Sequence, residues 1–225
     1  MCGDLQKLQL FLEKKWFVTF IDDHRRLCWV YLMKEKSEVG KLSQFFFNKI
    51  ETQFQVKIWN FHIDNRNEYF NEFLGSFLKE KYIHHQYTYV TTPQQNGIAE
   101  RKNKHLLEVA HAIMFSMNIP RYFWGEVILI ASYLINRMPT RFLKYSTLLE
   151  CFQKIFPLSR MYSNLPLKVF GCIVFVHLPN HTRSKLDPRA EKCVFIGYAS
   201  NKKKYKCYNP QTRKMYEYGC LFHWR

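Results

Sequence analysis

What the chain lacks sets the first bounds. No run of about 18 or more uncharged apolar residues occurs, so no membrane-spanning helix and no membrane partner are expected. The stretch from Leu5 to Phe20 is interrupted by Lys7, Glu13, Lys14 and Lys15. No basic region leads into an apolar core and a small-residue cleavage site, so no secretory signal is visible. There is no internal repeat and no low-complexity tract. CxxC pairs are absent, and no Cys/His cluster has zinc spacing. The seven cysteines are odd in number and scattered. Several lie in apolar runs such as Phe170-Gly-Cys-Ile-Val-Phe175, which points to buried free thiols in a reducing compartment. His84 and His85 are adjacent, and neighbours on a strand point to opposite faces, which argues against a shared metal. Acidic residues are scarce too: 18 Asp and Glu stand against 34 Lys and Arg, a net charge of +16. A surplus of that size on a soluble domain serves a polyanion. A generally basic, well-solvated surface is the plainer alternative.

What is present is a core. Hydrophobic residues make up 47% of 225, enough for one large domain or a medium domain plus a small one. Trp16 to Asp22 and Leu27 to Met33 read as a hairpin of aromatic and β-branched residues. Ser37 is a plausible N-cap for a helix to about Lys49, with Val39, Leu42, Phe45, Phe46 and Ile50 as its apolar stripe. Gln55 to Ile63 alternates as a strand ending at Asp64. A second helix spans Asn71 to Lys81, with Phe73, Leu74, Phe77 and Leu78 inward. A strand follows from Ile83 to Val90. A long helix then runs from Ala99 to Met117, with Leu106, Leu107, Ala110, Ile113 and Met114 inward, and another from Tyr122 to Asn136. Beyond a Pro-punctuated stretch with one short helix near Thr147–Lys154 the pattern changes to short strands: Val169–Val176, Cys193–Tyr198, Tyr205–Asn209, Lys214–Tyr218 and Gly219–Phe222. That is a small antiparallel β module. From Phe170 to Arg225 it carries 11 Lys and Arg against 3 Asp and Glu, a net charge of +8.

The chain is organised around Tyr89-Val-Thr-Thr-Pro-Gln-Gln-Asn-Gly-Ile-Ala-Glu-Arg-Lys-Asn103. It reads as a strand end, a Pro/Gly loop and a helix start with Glu100 in the first turn. Asp64 stands upstream in His62-Ile-Asp-Asn65, with 35 residues between the two carboxylates. One carboxylate ending a strand and one opening a helix could share divalent metal ions. The plain readings are a solvated turn Asp and a Glu placed for the helix dipole.

The order hairpin, helix, strand with Asp, helix, strand, long helix with Glu resembles the ribonuclease H-like fold of the retroviral integrase superfamily. It most resembles the integrase region of copia-type LTR retrotransposon Pol polyproteins. Phe17-Val-Thr-Phe-Ile-Asp-Asp-His24 resembles the family's hairpin, and Thr92 to Asn103 resembles its strongest signature. Tyr122-Phe-Trp-Gly-Glu126 with Tyr133-Leu-Ile-Asn-Arg137 resembles its next helix. Val169-Phe-Gly-Cys172, Lys185-Leu-Asp-Pro188 and Lys192 to Tyr198 resemble the small β domain after the core. The resemblance spans nearly the whole chain. It implies an α/β core, a mixed sheet flanked by helices over residues 1–139, a linker over 140–167, and a small basic antiparallel β barrel over 168–225. It also implies DNA integration, with two metal ions, usually magnesium and otherwise manganese, held by an Asp, Asp, Glu triad. Phosphoryl transfer needs positioning and charge neutralisation, which paired metals about 3.5–4 Å apart supply. Asp64 would be the second ligand and Glu100 the third. Partners would be element-end and target DNA, with self-association left open, and the location nucleus or cytoplasm.

The chain departs from the pattern in two places. Met1-Cys-Gly-Asp4 resembles the family's Cys-Gly-Pro turn with Asp4 in place of Pro, so the first catalytic Asp would fall one position before Met1. After Asp64 the family's two glycines are Arg66 and Asn67, which resist the backbone conformations glycine permits. Metal binding is therefore expected to be weak or absent and catalysis by these residues alone impaired. The alternatives are a non-catalytic DNA-binding or assembly module, or a retroelement fragment without a selected function. DNA contact rests on distributed charge. The candidates are Gln94, Gln95 and Asn96 on the loop, Arg101, Lys102 and Lys104 on the long helix, and Lys202, Lys203 and Lys204 on a late hairpin. For the lysine run a solvated turn is the plainer reading.

Overall fold

A computed structural model describes residues 13–63, 72–87, 97–157, 165–178, 184, 186, 188–199 and 203–219. Two compact units are present. One comprises Lys14–Leu107 and Ser132–Tyr162; the other includes Glu108–Ala131 and Ser163–Arg225.

In the first of these, β1 (Trp16–Ile21) and β2 (Cys28–Met33) form an antiparallel hairpin with Thr19 opposite Val30. Its turn is closed locally. The Asp22 carboxylate accepts the Arg25 N–H at 2.9 Å, and Arg26 takes a left-handed φ of 63°. The hairpin's two faces are used differently, as the two-residue strand period dictates. Phe20, with Val18, Trp29 and Tyr31, packs on α1 (Val39–Phe54), where Phe20 stacks on Phe46 at 4.3 Å between ring centroids. Each fully buried ring of this kind contributes about 1.5–3 kcal/mol. Thr19 and Cys28 use the other face, described below.

The run Phe45-Phe46-Phe47 splits three ways. Phe46 joins the cluster with Phe20, Ile50, Phe54 and Phe152. Phe47 joins a second cluster with Leu74, Phe77, Leu78 and Ile83. Phe45 is 51% exposed, which corrects its placement on the apolar stripe. Phe73, at 48% exposed, is likewise outside the core face of α2 (Glu72–Glu80). Leu107 is exposed as well, while Leu106 and Ala110 of the long helix are buried. Ser37 does not cap α1. It lies in a 3-10 turn, Lys36–Glu38, whose capping box is formed by Glu35 and Glu38. Two acidic side chains answer the orphan amides there in place of one hydroxyl.

The third strand, β3, is shorter than its alternation suggests, covering Asn60–Ile63. It pairs in parallel with β4 (His84–Tyr87), Asn60 opposite His84 and Ile63 opposite Tyr87. Among the described residues the ladder holds four pairs, and before it only the Trp59 carbonyl, which accepts the His84 N–H at 2.8 Å, reaches across. The hairpin and the parallel pair are separate two-stranded sheets among the described residues. They share apolar packing, since Phe61 of β3 lies against the Phe20 cluster. The long helix α3 (Gly97–Ser116) and α4 (Trp124–Ile135) follow, then α5 (Leu148–Gln153), which Thr147 and Glu150 start with a reciprocal capping box.

The late strands β5 (Ile173–His177), β6 (Ala190–Tyr198), β7 (Tyr205–Asn209) and β8 (Lys214–Tyr218) form a four-stranded antiparallel sheet in simple sequential order. Among the described residues no β8–β5 pairing closes it into a barrel. Val174, Cys193, Phe195, Ile196 and Cys207 are buried. The expected strand Gly219–Phe222 falls outside the described residues apart from Gly219. The fold class is as expected: an α/β core with the order hairpin, helix, strand, helix, strand, long helix, followed by a small antiparallel sheet.

Candidate metal and nucleic-acid site

Glu100 lies in the first turn of α3, where a carboxylate also complements the helix dipole. It is exposed and has no hydrogen-bond or ion-pair partner among the described residues. Arg101 does not neutralise it: the Arg101 Nε–H donates to the Gly97 carbonyl at 2.7 Å, one turn back. Lys104 is exposed one turn further along. Such a carboxylate is a hard oxygen donor of the type magnesium prefers. Asp64, its expected partner, lies outside the described residues, as do Gln94, Gln95, Asn96 and Lys202. Among the described residues no group of three or more His, Cys, Asp and Glu could hold a metal ion.

Lys102 behaves unlike its neighbours. It is half-buried, and burial pulls its ammonium pKa down, with the Cys28 thiol close enough to register electrostatically. It turns toward the hairpin face opposite α1. On that face Thr19 donates its hydroxyl to the Asn103 side-chain oxygen at 2.7 Å. Asn136 of the segment after α4 pairs with Cys28 as a strand would: it accepts the Cys28 N–H at 3.1 Å and donates to the Cys28 carbonyl at 2.7 Å. The start of α3, and with it Glu100, is thus held on the hairpin through Asn103. Sequence reading missed Thr19 and Asn103 as a pair. The available signal was a polar residue three positions beyond Glu100, facing an isolated Thr in an apolar strand.

In the other unit the late sheet is held on the first turn of α4 by charge. Glu126 is 1% exposed, and Lys206 of β7 donates to it at 2.7 Å. Burial raises the Glu126 carboxyl pKa, and the Lys206 ammonium opposes that rise. Gly197 of β6, at φ 149°, passes so close that a Cβ there would lie 2.8 Å from Glu126 Oε2. Phe123 meets Tyr208 edge-on at 5.1 Å. Lys203 is exposed at the β6–β7 connection and Lys204 half-buried, its carbonyl accepting the Ala199 N–H at 2.9 Å.

Residues 172–218 match the retroviral polymerase SH3-like domain family. The chain is 34% identical over 215 residues to the retrovirus-related Pol polyprotein from transposon TNT 1-94 of Nicotiana tabacum, which covers 96% of this chain and 16% of that protein. It is 35% identical over 202 residues to the corresponding polyprotein from transposon RE1 of Arabidopsis thaliana, covering 90% of this chain and 13% of that one. The chain belongs with the retrovirus-related Pol polyproteins of these transposons. It spans about one-sixth or less of the length of these relatives. A solved structure of the HTLV-2 integrase catalytic core domain in complex with magnesium, in trimeric form, is similar over 60% of this chain and 82% of that one. Its TM-score is 0.46 and its identity 16%, too weak a likeness to carry an assignment. No helix of the described residues is long and apolar enough to cross a membrane.

Proposed function

We propose that this chain is an integrase region that binds DNA and serves metal-dependent strand transfer, with Asp64 and Glu100 as two of the metal ligands. The observation that carries the reading is Glu100: a carboxylate at the head of α3, exposed and without a partner among the described residues, inside the Thr92–Asn103 signature. Magnesium or manganese held there would activate a nucleophile and neutralise charge on the phosphodiester. The chain's own residues orient and attract. Asn103, bonded to Thr19, fixes the turn that carries Glu100. Arg101 and Lys104 offer charge to backbone phosphates beside it, and Gln94, Gln95 and Asn96, shortly before it in sequence, would add polar contacts. Lys202, Lys203 and Lys204 add a second basic patch. Lys102 and Lys204 are half-buried, whereas Arg101, Lys104 and Lys203 are exposed. The substrates would be element-end and target DNA, acted on in the nucleus or cytoplasm, with a core over 1–139 and a basic module over 168–225.

Two carboxylates alone would hold the ion modestly, and a third oxygen ligand would tighten the site. The test is a strand-transfer and nicking assay with labelled DNA in magnesium and in manganese. Activity abolished by Glu100→Gln, with DNA binding intact, supports the reading. DNA binding without any metal-dependent activity favours a non-catalytic binding module, for which the net charge of +16 is the supporting observation. Failure to bind DNA sinks both and leaves a fragment without a selected function.

A further inference from the structure

Two large aromatic rings stand out of the first unit side by side. Trp59 is 63% exposed and Tyr82 79% exposed. Neither belongs to the hydrophobic clusters that the neighbouring Ile58, Phe61 and Ile83 join. One lysine bridges them: Lys57 Nζ lies 5.0 Å from the Trp59 ring centroid and 5.7 Å from that of Tyr82. Their backbones are fixed. The His84 N–H donates to the Trp59 carbonyl at 2.8 Å, and Trp59 and Tyr82 precede the paired strands β3 and β4. Both rings therefore flank the same end of the parallel ladder. Tyr82 occupies the left-handed position that ends α2, with φ 54° and the Ile83 N–H bonded to the Leu78 carbonyl. Glycine or Asn fits that position more cheaply than an aromatic. Nothing in the packing asks for a ring there.

We infer that Trp59, Tyr82 and Lys57 form a stacking site for unpaired bases of single-stranded nucleic acid. Exposed aromatic faces accept any base, and Lys57 supplies the cation for the adjoining phosphate. A chain with net charge +16 is complementary to such a polyanion. Bases inside a duplex offer no free face, so the site selects frayed ends and single strands. It lies at the start of β3, whereas Ile63 at the far end of that strand is four residues on, about 13 Å along the chain. The site thus goes beyond the metal-dependent reading and does not depend on Glu100.

The test is titration of the 225-residue chain with a roughly 20-nucleotide oligo(dT) and, separately, with the matching duplex, followed by tryptophan fluorescence and anisotropy. Single-strand binding should quench fluorescence. Trp59→Ala or Tyr82→Ala should weaken single-strand affinity about 5- to 100-fold, the loss of stacking under one base, and leave duplex affinity within about twofold. Trp59→Phe should keep most of the affinity and lose the quench. Tyr82→Gly should weaken binding without lowering the melting temperature, which a merely structural ring would not do. Unchanged single-strand affinity in Trp59→Ala, or an equal loss for duplex, overturns the inference. So does a full quench in Trp59→Phe, and so does the absence of any oligo(dT) binding, which would leave the rings to a protein partner.

Discussion

Replacing Lys206 by Met would strand the Glu126 carboxylate in the interior of its unit. Glu126 is 1% exposed, Lys206 is 15% exposed along its side chain, and 2.7 Å separates Nζ from Oε1. Breaking a buried pair from one side costs about 3–5 kcal/mol, because the remaining charge has neither water nor partner. The loss has a pH signature. Burial raises the Glu126 carboxyl above its ordinary 4.5, and the ammonium holds that rise back. A raised folded-state value means that stability is fully present below the ordinary carboxylate range and falls as pH climbs through the raised value. Without Lys206 the carboxyl rises further. The deficit of Lys206→Met should therefore be small in acid and grow toward neutral pH. Glu126→Gln on the same background removes the charge and should recover most of it. Urea midpoints across this range read both effects. A pH-independent loss below about 1 kcal/mol would refute the argument.

Three further predictions concern single contacts. Gly197→Ala should destabilise by roughly 1–3 kcal/mol, since its Cβ would meet a carboxylate already held by Lys206 at a φ few side chains adopt; calorimetric melting checks it. Asn136→Ala removes both bonds to the Cys28 backbone and should cost about 1–3 kcal/mol, with faster amide exchange at Cys28. Thr147→Ala, losing the cap that accepts the Glu150 N–H at 3.0 Å, should cost about 1 kcal/mol by urea denaturation.

Local patterns were legible. The hairpin, the four late strands and the helix headed by Glu100 announce themselves by period and by turn residues. What failed did so for reasons of partnership. Phe45, Phe46 and Phe47 are equally apolar, and only the two separate clusters decide that Phe45 is left outside. Gln55 to Ile63 alternates, yet the strand begins only at Asn60, where β4 supplies a ladder. The contacts that hold each unit together are non-local: Cys28 with Asn136, 108 positions apart, and Glu126 with Lys206, 80 apart. Glu126 was legible only as the end of the Tyr122-Phe-Trp-Gly-Glu126 motif, and its burial is matched by a lysine from a strand that periodicity cannot bring to it. Glu100 was legible by motif, whereas the half-burial of Lys102 beside it was not.

The central claim is that Glu100 and Asp64 act together on a divalent ion. The most direct measurement is manganese binding to the 225-residue chain by isothermal titration, compared with Glu100→Gln, Asp64→Asn and the double variant. Each single change should weaken binding by about tenfold or more, and the double change should add little, because one site is lost either way. Additive, independent losses, or binding untouched by Glu100→Gln, would contradict it.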